Sequence, residues 1–317
     1  MRTLVVTNPL GSEGMAETLN LEPLRAVSEV EHFVVDSITE SDLAQKCFGF
    51  DYLMLNIEVI WKLTGSMYDV LRDSGFRGIS VDTADCDWTE PEKARAVGID
   101  IMGTGKYATD TVAEQYLFEM LLHSRRGHLA YADRLAGRPA VRHLGILLKG
   151  KTLTVIGTGA IGQRLAAMAH GIGMNVVGWG RTPKTGSFEF ISDLPSAVQQ
   201  GDYIAVTVKV DRTGQSNTNL VNNAFLANTK PGAVIINHAG SELVNLDDVQ
   251  AAMEAGKLGG FITPSKWVVH HPIAADERVI HLPLNDWKSP ESFEFIEKSW
   301  VGNLVSAING TPQNVVN

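Results

Sequence analysis

Short apolar runs separated by longer polar or amphipathic stretches make up the pattern of the chain. In the N-terminal third, strand-like runs occur at 3–7, 31–35, 52–55 and 78–81. A second series follows at 151–156, 175–179, 203–208, 233–237 and 258–262. Helical patterns lie between these runs. Because strands that alternate with helices form parallel sheets, the pattern predicts an α/β protein with two doubly wound domains.

Helix signals outside the strand series complete this prediction. Helices are predicted at 191–199, 222–227 and 246–255, and a last one from Ser289 onward. The capping-box pattern Thr111-Val112-Ala113-Glu114 predicts that a long apolar helix begins there and runs through Leu122. Residues 125–142 are basic, and we predict that they form an irregular, exposed arm.

A glycine motif marks the most informative stretch of the chain. Gly157, Gly159 and Gly162 have the spacing G-x-G-x-x-G, directly after the apolar run 151–156 and before a helical pattern. In dinucleotide sites, the first glycine allows a tight turn, the second leaves room for a pyrophosphate, and the third lets the helix lie close to the strand. The motif therefore predicts a dinucleotide site, with the pyrophosphate at the helix N-terminus.

The residues after the second strand of this unit bear on which dinucleotide binds. NAD sites place an acidic residue about 20 residues after the glycines, where it accepts a hydrogen bond from the ribose 2′-hydroxyl. This chain has Gly180 there, followed by Arg181, Thr182 and Lys184. An arginine beside a hydroxyl can bind a 2′-phosphate through charge-assisted hydrogen bonds. We therefore predict NADP as the preferred cofactor, with NAD as the alternative; a solvated basic turn would have the same sequence.

Composition and charge narrow the class of protein. The chain has 317 residues, 44% of them hydrophobic, and a formal net charge of -9. This charge disfavours nucleic acid and anionic membranes as partners. No apolar run reaches the length of a membrane span, and the N-terminus does not resemble a signal peptide. Cys47 and Cys86 lack the spacing of a metal site, so we expect reduced thiols and a cytoplasmic protein.

These motifs together resemble the D-isomer-specific 2-hydroxyacid dehydrogenases, which include formate, glycerate and D-lactate dehydrogenases. The resemblance covers most of the chain, including 107–114, the glycine motif, the stretch 230–237 and 254–260. It implies two Rossmann-like domains, with an NAD(P)-binding domain (101–288) inserted into a split, flavodoxin-like substrate domain (1–100 and 289–317). It also implies an oxidoreductase with a small-molecule substrate and a homodimer formed through the cofactor domains.

The resemblance also implies a set of cofactor-binding residues. The glycine turn would hold the pyrophosphate, Arg181 and its neighbours the 2′-phosphate, and two further segments would line the nicotinamide ribose. These residues are Gly157, Gly159, Ala160, Ile161, Gly162, Arg181, Thr182, Lys184, Thr207, Val208, Lys209, His238, Ala239 and Gly240.

The resemblance fails at the positions where the family carries its chemistry. The family's substrate-binding arginine matches Gly240, its glutamate matches Val269, and its histidine matches Leu284. Pro264 stands where the family has an aspartate beside the nicotinamide. These side chains can neither clamp a carboxylate nor transfer a proton, so ordinary 2-oxo-acid reduction at these positions is excluded if the alignment holds.

Polar residues near the lost positions are candidate replacements. His238 precedes Gly240 by two residues and is the first candidate for orienting or protonating the substrate. Asp286 and Lys288 come second, followed by His270 and Lys106. Each has an alternative role: His238 can pack against the cofactor, His270 can form a surface pair with His271, and the charged residues can be solvated.

Two functions from different classes remain open at this stage. The first is an oxidoreductase acting on an atypical substrate, such as an imine or a polarised alkene, that needs orientation more than an arginine clamp. The second is a protein that binds NAD(P) without turnover, as a sensor or scaffold, or a non-redox enzyme. A metal site built from His238, His270, His271 and His281 is not predicted, because the spacings match no ligand pattern.

Overall fold

The chain folds into two units, each built around its own parallel sheet. A computed structural model describes residues 1–9, 19–139, 143–211 and 217–317. Unit 1 comprises Met1–Tyr107 and Lys288–Asn317, and unit 2 comprises Ala108–Trp287. The sequence prediction placed the boundaries a few residues away, at 100/101 and 288/289. Which unit binds substrate and which binds cofactor stays a prediction at this point.

Unit 1 contains a five-stranded parallel sheet in the order β2-β1-β3-β4-β5. Its strands are β1 Arg2–Thr7, β2 Glu29–Val34, β3 Tyr52–Leu55, β4 Gly78–Val81 and β5 Asp100–Met102. Among the described residues, four short α-helices lie between these strands: α1 Glu22–Arg25, α2 Glu40–Lys46, α3 Ser66–Leu71 and α4 Pro91–Ala96. The strands β3 and β4 are buried at every position, as expected for a parallel sheet that is covered on both faces.

The C-terminal helix returns to the sheet of unit 1. Trp300 on this helix, Pro290–Ile308, is almost fully buried, and its indole Nε1–H donates to Ser80 O at 2.9 Å. The Ser80 hydroxyl donates in turn to Trp300 O. The helix therefore packs on the first sheet although more than 180 residues separate it from β5.

Unit 2 contains a seven-stranded parallel sheet in the order β12-β11-β10-β9-β6-β7-β8. Its strands are β6 Thr152–Ile156, β7 Asn175–Trp179, β8 Glu189–Phe190, β9 Tyr203–Val206, β10 Ala233–Asn237, β11 Leu258–Pro264 and β12 Val279–Leu282. Its helices are α5 Thr109–Ser124, α6 Gly127–Leu135, α7 Ala160–Gly171, α8 Leu194–Val198, α9 Asn223–Ala227 and α10 Leu246–Glu254. The helix Pro290–Ile308 of unit 1, described above, is α11. The carboxyl ends of all seven strands lie at one edge of the sheet, because all their pairings are parallel.

The fold confirms the predicted α/β class and most strands, and it corrects three local predictions. Helix α5 begins at Thr109, and the Thr111 hydroxyl donates to Ala108 O inside the first turn, so the predicted capping box is wrong. The predicted irregular arm contains helix α6; positions 140–142 of the arm lie outside the described residues. Strand β5 was not predicted, because it has only three residues and follows a helix without a distinct apolar run.

None of the helices within the described ranges is both long enough and apolar enough to cross a bilayer.

Candidate active site

The glycine turn after β6 meets the steric requirements of a dinucleotide cradle. Gly157 has φ +112°, and a Cβ there would lie 2.7 Å from Val208 N. At Gly162 a Cβ would lie 2.0 Å from Gly157 O and 2.9 Å from Val155 Cγ1. A Cβ at Gly159, in contrast, would meet no atom within 4 Å. The first and third glycines are therefore required by the protein's own packing, whereas the second leaves free space.

The helix that follows the turn presents its N-terminus at the same place. Helix α7 has no side-chain cap at Gly159, so its first amide groups are available to an anion. The Thr207 hydroxyl after β9 donates to Gly157 O at 2.6 Å and fixes the turn against the neighbouring strand. These contacts match what a pyrophosphate needs: open space, exposed amides and a rigid turn.

The residues after β7 form an exposed basic turn. Arg181, Thr182 and Lys184 are all exposed. The Arg181 guanidinium donates from Nη1 to Asp211 Oδ2 at 3.2 Å, and its side chain is 74% exposed. The guanidinium of Arg181 is therefore paired with the carboxylate of Asp211, which lies in the segment after β9. A 2′-phosphate would have to share or replace this contact.

A buried ionic cluster lies at the same edge of the sheet, after β10. We call Glu119, His238 and Asp286, together with Tyr116, the His238 cluster. His238 Nε2 lies 2.7 Å from Glu119 Oε2, and His238 Nδ1 lies 3.6 Å from Asp286 Oδ2. The side chains of Glu119, His238 and Asp286 are 0%, 2% and 7% exposed. An imidazole thus lies between two buried carboxylates.

Helix α5 supplies two of the four members of the cluster. Tyr116 and Glu119 are three residues apart and therefore lie on one face of the helix. The Tyr116 hydroxyl accepts from the His238 backbone N–H at 3.0 Å and donates to Val206 O. It joins the ends of β9 and β10, while Glu119 holds the imidazole of the residue that follows β10.

The charge state of His238 follows from this environment. Burial lowers the pKa of its imidazole, but the neighbouring carboxylates of Asp286 and Glu119 raise it more, and the resulting pKa is about 9. His238 is therefore an imidazolium at neutral pH. Its two ring N–H groups point to different carboxylates, and Nε2–H is held by the shorter contact.

Two atoms of the cluster are buried without a hydrogen bond. Among the described residues, Asp286 Oδ1 and His238 Nδ1 have no partner within hydrogen-bonding distance. Buried polar atoms are nearly always satisfied, and their exceptions concentrate at sites that bind a ligand or water. The cluster therefore presents one carboxylate oxygen, Asp286 Oδ1, without a donor, while His238 Nδ1 faces Asp286 Oδ2 at 3.6 Å.

The position of the family's arginine is sterically closed. Gly240 is buried, and a Cβ on it would lie 2.4 Å from Val210 Cγ2. Its φ of 168° is ordinary extended backbone, so the restriction comes from packing alone. No longer side chain fits at residue 240 unless Val210 moves.

The remaining predicted residues are dispersed. His270 is exposed on the segment after β11, and it is not part of the cluster. Its neighbour His271 accepts from Ile273 N through Nδ1. Lys106 and Lys288 lie in unit 1. Val208, Lys209 and Ala239 follow β9 and β10 at the edge that carries the glycine turn.

Sequence reasoning proposed His238 and Asp286 but missed Glu119 and Tyr116. A signal was present: Glu119 is a charged residue within the otherwise apolar stretch 116–122 of a predicted helix. A fully buried carboxylate in such a stretch needs a partner. The described residues contain no group of three His, Cys, Asp or Glu side chains arranged to hold a metal ion.

Comparisons with known proteins connect this geometry to a family. The model of the D-isomer specific 2-hydroxyacid dehydrogenase, NAD binding domain, matches residues 117–284. The chain is 28% identical to D-3-phosphoglycerate dehydrogenase of Methanocaldococcus jannaschii over 81% of its length, and 29% identical to D-lactate dehydrogenase of Escherichia coli over 62%. The alignments cover 48% and 56% of these relatives, so the chain spans about half of their length.

The structure is also similar to that of a glyoxylate reductase from Paecilomyes thermophila. The TM-score is 0.86 at 20% identity, and the match covers 99% of this chain and 98% of that one. At this identity the similarity concerns the fold, and it confirms the two Rossmann-like domains expected from the sequence.

Proposed function

Because the chain belongs to the D-isomer specific 2-hydroxyacid dehydrogenase family, a family of NAD-dependent oxidoreductases, we propose that it is itself an NAD(P)-dependent oxidoreductase with a remodelled active site. Its substrate is then an atypical small molecule and not a simple 2-hydroxy acid. The observation that carries the proposal is the free space at Gly159, at the same sheet edge as the buried His238 cluster.

The dinucleotide would be held by the residues that fit it. The amides at the start of α7 face its pyrophosphate, Thr207 and Val208 support the turn, and the segment His238 to Gly240 lines the nicotinamide ribose. A bound nicotinamide supplies the two-electron chemistry. His238 is the candidate for orienting or protonating the substrate through Nδ1, because Glu119 already engages Nε2.

The test of cofactor binding uses two glycines of the same turn and helix. Gly159→Ala adds a methyl group into the free space and is expected to weaken NADPH binding at least about tenfold, because the methyl group occupies the pyrophosphate position. Gly171→Ala is the matched control, since a Cβ there also meets nothing within 4 Å. It should bind NADPH like the wild type. Equal affinities of the two variants, measured by fluorescence titration, would contradict the proposal.

For the cofactor, we propose a preference for NADP. It is supported by the lack of an acidic residue at 180 and by the exposed guanidinium of Arg181. Arg181→Ala should weaken NADPH binding about tenfold and leave NADH binding unchanged, because only NADPH carries the 2′-phosphate. Arg95→Ala removes an exposed charge in unit 1 and serves as the control. An unchanged ratio of the two affinities would show that the preference is wrong.

A second candidate function is binding of NAD(P) without turnover. One observation favours it: the positions that match the family's substrate-binding arginine, glutamate and histidine hold Gly240, Val269 and Leu284. If the protein binds NADPH tightly but oxidises none with a panel of 2-oxo acids, imines and enoyl compounds, the sensor function replaces the oxidoreductase.

The proposed assembly is a homodimer formed through unit 2. Large apolar side chains between 42% and 90% exposed occur on α5, on α6 and in the segment that follows: Phe118, Leu121, Tyr131, Leu135, Leu144, Ile146 and Leu147. Such a concentration of exposed apolar residues is typical of an interface. The cytoplasmic location and the lack of nucleic-acid or membrane partners stay predictions from the sequence.

A further inference from the structure

We propose that the substrate carries nitrogen at its reacting carbon, as a protonated imine that is reduced to an amine or as the amine in the reverse reaction, and that Asp286 binds the cationic nitrogen. The inference rests on the proposed oxidoreductase function and specifies its substrate class. It depends on three features of the His238 cluster: its charge, its free acceptor and the closed position beside it.

The charge of the cluster favours a cation. Two carboxylates, Glu119 and Asp286, enclose a single imidazole, and all three side chains are at most 7% exposed. Even with His238 protonated, one negative charge remains without a positive partner in the cluster. Burying an uncompensated charge is costly, so a cationic ligand stabilises the cluster, whereas an anionic one is repelled.

The free acceptor gives this cation a specific place. Asp286 Oδ1 is buried and has no hydrogen-bond donor among the described residues, while Oδ2 of the same carboxylate faces His238 Nδ1 at 3.6 Å. A protonated imine or an ammonium group has N–H donors and a positive charge, and both are complementary to a carboxylate oxygen. A ketone oxygen has neither, and Oδ1 would stay unsatisfied beside it.

The closed position explains why a carboxylate clamp is not rebuilt here. A Cβ at residue 240 would lie 2.4 Å from Val210 Cγ2, so a side chain at this position requires Val210 to move. The site therefore combines a surplus of acceptors with the loss of the cation that the family uses for its acids. This combination selects against a substrate recognised there through negative charge.

The chemistry of an imine also suits a buried histidine. In the reductive direction a new C–H bond forms at the carbon of the C=N⁺ group. The π electron pair of the C=N bond moves to nitrogen, which gives a neutral amine. The substrate gains two electrons as NAD(P)H is oxidised to NAD(P)⁺. Carbonyl reduction instead forms an alkoxide that needs a proton from an acid in the same step. The amine takes its proton afterwards, from water, so the step does not require an exposed acid.

The first test measures binding without turnover. In the presence of NADPH, which cannot react with an amine or an alcohol, wild-type protein is titrated with racemic alanine and racemic lactate, which differ in the ammonium and hydroxyl groups, and with cyclohexylamine and cyclohexanol, which lack a carboxylate. We expect the amine of at least one pair to bind about tenfold or more tightly than its alcohol, as a charge-assisted contact requires. Equal binding within both pairs would overturn the proposal, and this result needs no variant protein.

Variants then locate the effect. Asp286→Asn should reduce the preference for the amine to less than about threefold, because the charge is lost while the shape is kept. Asp247→Asn is the matched control, since the side chain of Asp247 is 92% exposed in the same unit. Circular dichroism and a cooperative thermal transition verify that both variants are folded. An unchanged preference in Asp286→Asn would place the cation elsewhere and contradict the proposal.

A turnover experiment separates this inference from the proposed function. NADPH oxidation is followed with pyruvate alone and with pyruvate plus methylamine, which form the imine in solution. Oxidation only with methylamine supports the inference. Equal rates without methylamine would overturn it and leave the oxidoreductase function intact. If no NADPH is oxidised under either condition or with the panel of 2-oxo acids, imines and enoyl compounds, the oxidoreductase function fails, and the binding preference alone decides whether Asp286 is a cation site.

Discussion

Each of the two parallel sheets buries a carboxylate at its carboxyl edge, but the two carboxylates have different partners. In unit 1, Asp82 follows β4 and is 5% exposed; it accepts from the Ile57 backbone N–H at 2.9 Å and from the Asn56 amide. No cation of the described residues forms an ion pair with it. In unit 2, Asp286 and Glu119 lie on either side of the imidazole of His238. Neutral hydrogen-bond donors surround the carboxylate of the first site, whereas an imidazolium lies between the carboxylates of the second.

This difference determines the direction in which each site titrates. Burial raises the pKa of Asp82 to about 6, although hydrogen bonds from Ile57 and Asn56 lower it in part. At the other edge, the carboxylates bring the pKa of His238 to about 9 in spite of its burial. One unit thus favours a neutral acid and the other a charged base. In the second, a carboxylate oxygen, Asp286 Oδ1, has no hydrogen-bond donor, and the site lies in the unit that carries the glycine turn, which is why we assign the substrate site to it.

The largest expected effect comes from removing the cation of unit 2. His238→Leu leaves Glu119 and Asp286 as buried carboxylates without a positive partner, and breaking a buried ion pair in this way costs about 3–5 kcal/mol. Urea denaturation at pH 7 measures the loss. His270→Leu is the control, because His270 is exposed, and it should change the free energy of unfolding by less than about 0.5 kcal/mol. A loss as small in His238→Leu would mean that the cluster is not an ion pair.

The next effect is the pH dependence that His238 produces. The folded pKa of about 9 lies above the ordinary histidine pKa of 6.5, so the native state keeps a proton that the unfolded state releases. The stabilisation is complete below pH 6.5 and is lost as the pH rises through 9. It amounts to about 3 kcal/mol at most, at about 1.4 kcal/mol per pKa unit. The difference in stability between wild type and His238→Leu should therefore shrink over this window; a constant difference would refute the assignment.

The smallest effect is expected in unit 1, where the substitution should raise the free energy of unfolding and not lower it. The folded pKa of Asp82, about 6, lies above the ordinary aspartate pKa of 3.8. Wild-type stability therefore falls as the pH rises between these values. Asp82→Asn does not titrate, and the Asn56 amide can rotate to accept from it. The variant should be about 2 kcal/mol more stable than the wild type at pH 8 and show no gain at pH 3.5. Thermal unfolding at both pH values checks this; destabilisation at pH 8 would mean that the charge of Asp82 is required.

Much of the fold could be predicted because its signals are local. The residues of β3, β4, β7 and β10 have the bounds that the apolar runs indicate. The three glycines have the roles that their spacing implies, since a turn and the helix that follows it depend on neighbouring residues. The predicted capping box is wrong because the local pattern at Thr111 does not set the start of the helix. The helix already includes Thr109 and Asp110, which precede Thr111.

The candidate site was predictable only in part. His238 and Asp286 were identified separately, by their closeness in sequence to positions where the family carries its chemistry. Their contact, and the role of Glu119, could not be inferred, because Glu119 and His238 are 119 residues apart and meet only when α5 packs on the sheet. The alignment that indicated a lost arginine also gave no reason for Gly240, which lies in its packing against Val210.

By itself the sequence determined the parallel α/β architecture and the dinucleotide turn, because apolar periodicity and glycine spacing act over a few bonds and need no distant partner. Tertiary structure alone decided which polar side chains are buried together. The energies of buried charges depend on their neighbours in space and on the exclusion of water, so the pairing of His238 with Glu119 and Asp286 became visible only once β10, β12 and α5 were in place.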